Sequence, residues 1–206
     1  MTSKGPLFKK VWATQYADMI EYRGDHKVTA VDAKTGTIKF EIQEDAKATV
    51  INALPNMRAG LIAVNSGLNN MANGRWCGVN YLTFESTAAK DVHVLGDSIQ
   101  IAPGMPKSGH MANAQAKVAA AAIVAQLNGW EVNPNPMLTN TCYSMVDSKN
   151  CIHVASVHEY VAAEKTFKTV AGSGGVSSID LKPEVTMLEG AYAESWAQNI
   201  WADTLA

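Results

Sequence analysis

Net charge, cysteine and long apolar runs are all scarce in this sequence, and each scarcity excludes something. The formal net charge is only -2, so no basic face argues for nucleic acid and no polybasic run for an anionic membrane surface. The longest apolar run, Val118 to Ala125, is too short to cross a bilayer, which takes about 20 residues. No amphipathic helix with a basic rim marks a membrane-docking segment. The opening residues MTSKGPLFKKVW carry lysines but no apolar stretch, so no signal peptide and a soluble chain are expected. Three cysteines, Cys77, Cys142 and Cys151, are too few for a disulfide-stapled scaffold. Their odd number leaves at least one thiol free or paired outside the chain. There is no CxxC, and the five histidines form no HxxxH or HExxH pair, so no metal site is expected. Also missing is a GxGxxG after a strand, so the chain has no dinucleotide fingerprint of its own. The GSGG at 172–175 lacks the spacing and the following helix, and reads as a flexible turn.

What is present suffices for a core: 206 residues, 47% of them hydrophobic, make one large domain or two small ones. Residues 5–22 put Phe8, Val11, Trp12, Tyr16 and Met19 on one helical face. KVTAVDAKTGTIKFEIQ reads as a hairpin around Lys34-Thr35-Gly36. ATVINALP (48–55) is a short buried-strand candidate, and MRAGLIAVNSGL a helix ending near Gly67. NNMANGRWCGVN is loop-like, rich in Asn and Gly, and suggests a crossing between domains. YLTFES and VHVLGD are short strand candidates. From Ser108 to Leu127 runs a helix with Ala112, Ala116, Ala119, Ile123 and Leu127 on one face, small enough to pack closely on a sheet. GWEVNPNPMLTN ends it as a linker, and CIHVASVHEY is strand-like. The tail is a helix with Pro183 in its first turn and Glu184 at its positive end. Val185, Leu188, Tyr192, Trp196 and Ile200 form its expected docking face.

Strand, Gly96-Asp97, loop, helix is how open α/β sheets place ligand groups beyond strand carboxyl ends. An aspartate there accepts hydrogen bonds from sugar or ribityl hydroxyls. Backbone amides at the helix start, near Lys107 to His110, suit a group that becomes negative. A flavin meets both demands. The plainer alternative makes Asp97 a turn residue and the alanines core.

The stretch HVLGDSIQIAPGMPKSGHMANAQAKVAAAAIVAQLNG resembles the second flavin-contacting motif of the flavocytochrome c sulfide dehydrogenase flavoprotein subunits. Gly96-Asp97, Met105-Pro106-Lys107-Ser108 and Ala112-Asn113-Ala114-Gln115 match in order. SKGPLF, VINALPNMRAG and WCGVNYLTFES upstream, and NTCYSMV, AGSGGVS and YAESWAQNI downstream, extend the similarity over nearly the whole chain. The resemblance implies an α/β fold, α+β in the tail: the C-terminal half of a two-dinucleotide-domain flavoprotein of glutathione reductase type. Residues 1–70 would finish the NAD-like second domain, 71–140 return to the FAD-binding domain, and 141–206 form the small C-terminal domain.

By the same resemblance the cofactor is FAD, contacted by Gly96, Asp97, Met105, Pro106, Lys107 and Ser108. Lys107 would support the charge of the reduced flavin. Cys142 corresponds to the second active-site cysteine, and Trp196 to a tryptophan near the active site. Cys77 is expected to be structural and Cys151 a core residue, either replacing the missing cysteine partner only if the fold brings it close. His110 stands where the family has an aromatic and receives no role. The family oxidises sulfide, passes electrons through flavin to a cytochrome c subunit and works in the periplasm. Because the FAD motif and first cysteine are missing, this chain is expected to be inactive alone. A non-catalytic interaction subunit that pairs with a separate FAD-binding half is the alternative, and a sulfide:quinone oxidoreductase-like flavoprotein a third reading.

Overall fold

The structure is a computed structural model that describes residues 3–205, so the outermost limits of the expected first and last domains, residues 1 and 206, lie outside it. The chain forms two compact units, one of Met1–Phe8 with Arg58–Ala206 and one of Lys9–Met57. Helix α1 (Gly5–Thr14) runs through the point where one unit gives way to the other. It stops well short of Tyr22, so Tyr16 and Met19 are not helical as expected.

The smaller unit carries strands β1 (Val28–Asp32), β2 (Thr37–Phe40) and β3 (Ala46–Lys47) in antiparallel order β1-β2-β3. The expected hairpin is present. Its turn is held by Asp32, whose carboxylate accepts from the Lys34 amide at 2.9 Å and the Thr35 hydroxyl at 2.8 Å, a side-chain mimic of a turn. The strand expected at 48–55 does not form. That stretch is irregular and largely exposed, and β3 remains the last strand of its sheet.

In the larger unit, α2 (Leu61–Asn65) realises only the centre of the expected helix. The strand candidates YLTFES and VHVLGD are replaced by isolated bridges, Val79 to Ser86 and Glu85 to His93, and by a 3₁₀ turn at Gly96–Ser98. Phe84 is the reason. It takes a left-handed backbone with φ of 58°, which breaks an extended run but turns its ring fully into the core.

Helix α3 (Gly109–Asn128) begins and ends where the sequence says. Ser108 accepts the Met111 amide at 3.1 Å as N-cap. Gly129 takes φ of 68° and its neighbour Trp130 bonds back to the Ala125 carbonyl at 2.8 Å, the left-handed stop that only glycine makes cheaply. Its buried face is Met111, Gln115, Ala119, Ala122 and Ala125, rotated from the expected one; Leu127 is solvent-facing.

The second sheet joins β4 (Met137–Met145), β5 (Cys151–Val161) and β6 (Thr166–Thr169), all antiparallel, with β7 (Gly175–Val176) also pairing β5. The last residues of the expected linker, MLTN, are therefore strand. Gly175 of the expected glycine turn is strand as well. Phe84, Ile99, Ala102 and Met105 from the loops, Met111 and Ala119 from α3, and Leu138 and Phe167 from the sheet share one core. Phe84 and Phe167 stack at 6.4 Å. Burying an aromatic side chain of this size contributes about 2–3 kcal/mol, so Phe84 anchors its irregular loop to the sheet.

Helix α4 (Pro183–Leu205) packs on the sheet by a polar face, Thr186, Glu189 and Gly190. This corrects the expected docking by Val185, Leu188 and Tyr192, which stay about half exposed. The reason is a buried polar set: Ser177 Oγ donates to Glu189 at 2.5 Å, His153 Nδ1 lies 3.2 Å from the same carboxylate, and Thr186 Oγ1 donates to Asn150 at 2.6 Å. A carboxylate removed from water requires such partners, and they fix which face turns inward.

Candidate functional site

The start of α3 is where the sequence-expected cofactor residues meet. Gly96-Asp97 is tied to it from below: the Gly96 amide donates to Gln115 Oε1 at 2.7 Å, while Gln115 Nε2 reaches Met105 Sδ at 3.4 Å. Gln115 is buried, so one side chain braces both arms of the loop. The approach is close, since a Cβ on Gly96 would stand 3.3 Å from that of Ala112. Asp97 itself is exposed.

Lys107 closes the other side. Its ammonium donates to the carbonyls of Asp97 at 2.6 Å and Ile99 at 2.8 Å and sits 3.7 Å from the Trp76 ring centroid. Burial pushes Lys107 below the usual lysine range, with the Asp97 carboxylate working in the opposite direction. Its geometry is that of a clamp holding the 97–107 loop.

Ser108 donates to the side chain of Asn140, and Asn140 Nδ2 lies 3.4 Å from Cys142 Sγ. A hydrogen-bonded run therefore links the N-cap of α3 to Cys142 through Asn140, which lies 32 residues beyond Ser108 in sequence. The amides of Gly109 and His110 have no partner among the described residues. A Cβ on Gly109 would meet nothing within 4 Å. Open space before a 20-residue helix, lined by uncommitted amides, fits a group that gains negative charge. These residues thus suit the ring end of a flavin. Nothing here cradles its adenosine phosphates.

Alternation along β4 puts Leu138, Asn140 and Cys142 on one face and Thr141 and Tyr143 on the other. Trp196 packs its ring tilted against Tyr143 at 6.1 Å and His110 at 5.7 Å, so it stands on the opposite face of β4 from Cys142. Cys142 pairs with Val154 and Cys151 with Met145, an odd offset that sends the two thiols to opposite faces. All three cysteines are free. Burial pushes the thiols of Cys77 and Cys151 upward, while Cys142 is only partly covered.

Sequence reasoning gave His110 no role and missed Asn140. His110 Nδ1 accepts the Thr141 amide at 2.9 Å, which leaves the proton of the neutral ring on Nε2. Burial holds this imidazole below its ordinary value. His110 borders a cleft of about 360 Å³ that Asn113, Lys117, Val118 and Met137 also line. Position beside an N-cap serine was the one signal for His110; Asn140 left none.

The fold is that of a flavoprotein oxidoreductase. The crystal structure of the sulfide:quinone oxidoreductase from the hyperthermophilic bacterium Aquifex aeolicus matches 95% of this chain at a TM-score of 0.59 and 15% identity. The chain spans 44% of that protein's length. Residues 134–205 match the family described as flavocytochrome c sulphide dehydrogenase, flavin-binding, and residues 1–55 the central part of the sulfide dehydrogenase (flavocytochrome c) flavoprotein chain. The chain thus carries matches to both the central and the flavin-binding parts of the flavocytochrome c sulfide dehydrogenase flavoproteins.

Proposed function

We propose that this chain supplies the flavin-facing wall and the sulfur-handling cysteine of a FAD-dependent sulfide dehydrogenase, and is inactive by itself. The observation that carries the reading is the run from Ser108 through Asn140 to Cys142, which joins the candidate cofactor loop to the one partly exposed thiol. In this reading residues 1–70 complete the NAD-like domain, 71–140 return to the FAD domain and 141–206 form the flavin-binding tail domain. Gly96, Asp97, Met105, Pro106, Lys107 and Ser108 form the wall, with Asp97 accepting from ribityl hydroxyls and the Gly109 and His110 amides facing the oxygen edge of the ring. Trp196 borders the site through Tyr143 and His110.

Bound FAD supplies two-electron acceptance and one-electron release to a cytochrome c subunit. Cys142 acts as a thiolate, the form that attacks or is displaced in sulfur exchange. Its redox partner and the phosphate cradle lie outside these 206 residues. A periplasmic setting goes with this activity.

The test has two arms. The chain alone, given FAD, sulfide and cytochrome c, is expected to reduce no cytochrome; turnover would defeat the claim of inactivity. Co-expressed with the N-terminal half of a family flavoprotein, it is expected to give a yellow complex bleached by sulfide, and Cys142→Ser to abolish the bleaching. A colourless complex would instead favour a non-catalytic interaction subunit. The half-exposed stripe of Val185, Leu188 and Tyr192 on α4 is the feature that supports this second reading.

A further inference from the structure

Asn-Gly occurs twice in this chain, at Asn73-Gly74 and at Asn128-Gly129, and the fold treats the two pairs oppositely. Asn73 lies exposed in a turn. Backbone bonds between Met71 and Trp76, at 2.9 and 3.2 Å, close that turn at its ends. Inside it, neither the Asn73 side chain nor the Gly74 amide has a hydrogen-bond partner among the described residues. Asn128, by contrast, is the last residue of α3. Its Nδ2 donates to the Val124 carbonyl at 2.8 Å, and the Gly129 amide donates to the Gln126 carbonyl at 3.2 Å. Both groups that would have to meet are therefore tied to the helix.

We propose that Asn73 is a site of spontaneous deamidation and that Asn128, although also followed by glycine, is protected by its helix. The Gly74 nitrogen attacks Cγ of Asn73 and a C–N bond forms. The side-chain nitrogen leaves as ammonia, taking the Gly74 amide proton with it, and a succinimide ring remains. Water then opens the ring at either carbonyl, giving aspartate or isoaspartate with no change of oxidation state. Glycine favours the attack because it brings no Cβ to crowd it. At Asn128 the same step has to wait until the last turn of α3 opens. The product at 73 bears on the cofactor loop. Either outcome sets a carboxylate near Arg75, whose guanidinium lies 5.1 Å from the Trp76 ring centroid. Isoaspartate also adds a methylene to the main chain between Met71 and Trp76. Trp76 carries the Lys107 ammonium at 3.7 Å, so a distorted turn disturbs the clamp on the 97–107 loop.

The test needs neither FAD nor sulfide. The folded 206-residue chain is aged in warm, mildly alkaline buffer, digested at low pH and followed peptide by peptide by mass spectrometry. The peptide holding Asn73 is expected to gain the amide-to-acid mass difference about tenfold or more faster than the one holding Asn128, because two hydrogen bonds must open before the second can react. In denaturant the two rates are expected to converge, since the difference belongs to the fold. Asn73→Gln, whose longer side chain closes the ring poorly, is expected to remove the fast acidic product and leave the Asn128 peptide as in the wild type. Equal rates in the folded chain, or faster conversion at Asn128, would overturn the proposal. So would a gap that persists in denaturant, because the flanking residues rather than the turn would then set the rate.

Discussion

The carbonyl oxygen of Lys149, in the turn between β4 and β5, lies so close to Gly190 of α4 that a Cβ at Gly190 would overlap it. Helix and turn meet backbone to backbone there. Two effects compete when alanine replaces this glycine. Helix propensity favours alanine by about 1 kcal/mol, whereas forcing apart a buried contact costs about 1–3 kcal/mol. The obstacle is a backbone carbonyl rather than a flexible side-chain tip, so the second effect wins. Gly190→Ala is expected to lower the melting temperature and loosen α4. An exposed alanine-for-glycine control elsewhere is expected to be neutral. Unchanged or raised stability of Gly190→Ala would show that the turn yields freely.

Ser108 and Asn140 are coupled through the hydrogen bond that joins α3 to β4. Ser108 also caps the helix, and removing a cap costs about 1 kcal/mol. Ser108→Ala and Asn140→Ala should each destabilise, and the double variant should cost less than their sum by a coupling of about 0.5–1.5 kcal/mol from the shared bond. Denaturant titration of the two single variants and the double variant measures it. Strict additivity would mean that the link from the helix start to the Cys142 strand carries no energy.

Lys107 offers a separate check on the loop. Its ammonium holds two carbonyls and covers Trp76, so Lys107→Met is expected to shift the emission contributed by Trp76. Stability should fall by about 1.5–3 kcal/mol, the range for hydrogen bonds made by a charged group. If emission and stability both stay at wild-type values, the clamp is not formed in solution.

Local chemistry was legible in the sequence; long-range choice was not. The serine cap at 108, the alanine run and Gly129 fix α3 to within a residue, because caps and propensity act over a single turn. Pro183 likewise marks the start of α4. The face that α4 buries was misread because it is chosen by Glu189, Ser177 and His153 meeting in space, and a polarity pattern cannot announce that a carboxylate turns inward. The apparent strands around Phe84 failed for a related reason: the core claims the ring at the expense of an extended backbone. At the site, the Gly96-Asp97 and Met105–Ser108 motifs were readable as segments. Asn140 joins the site through Ser108, 32 residues away in sequence, which no local pattern announces.

His158 gives the pH dependence its sign. It is fully buried, with Nε2 at 2.9 Å from Ser156 Oγ and Nδ1 at 3.4 Å from Thr169 Oγ1. Burial holds its folded-state pKa below the ordinary value, whereas the unfolded chain takes up a proton near pH 6.5, as free histidine does. Above about pH 6.5 both states are neutral and the residue contributes no slope. As pH falls through that value the unfolded state binds the proton first, so stability is lost on acidification, until the folded ring is protonated too. His110 shifts in the same direction and adds to the loss. Thermal unfolding at about pH 7.5 and about pH 5 is therefore expected to show a drop for the wild type and a smaller drop for His158→Gln, which keeps polar atoms but does not titrate. An equal drop in both proteins would place the acid sensitivity at His110 or the carboxylates instead.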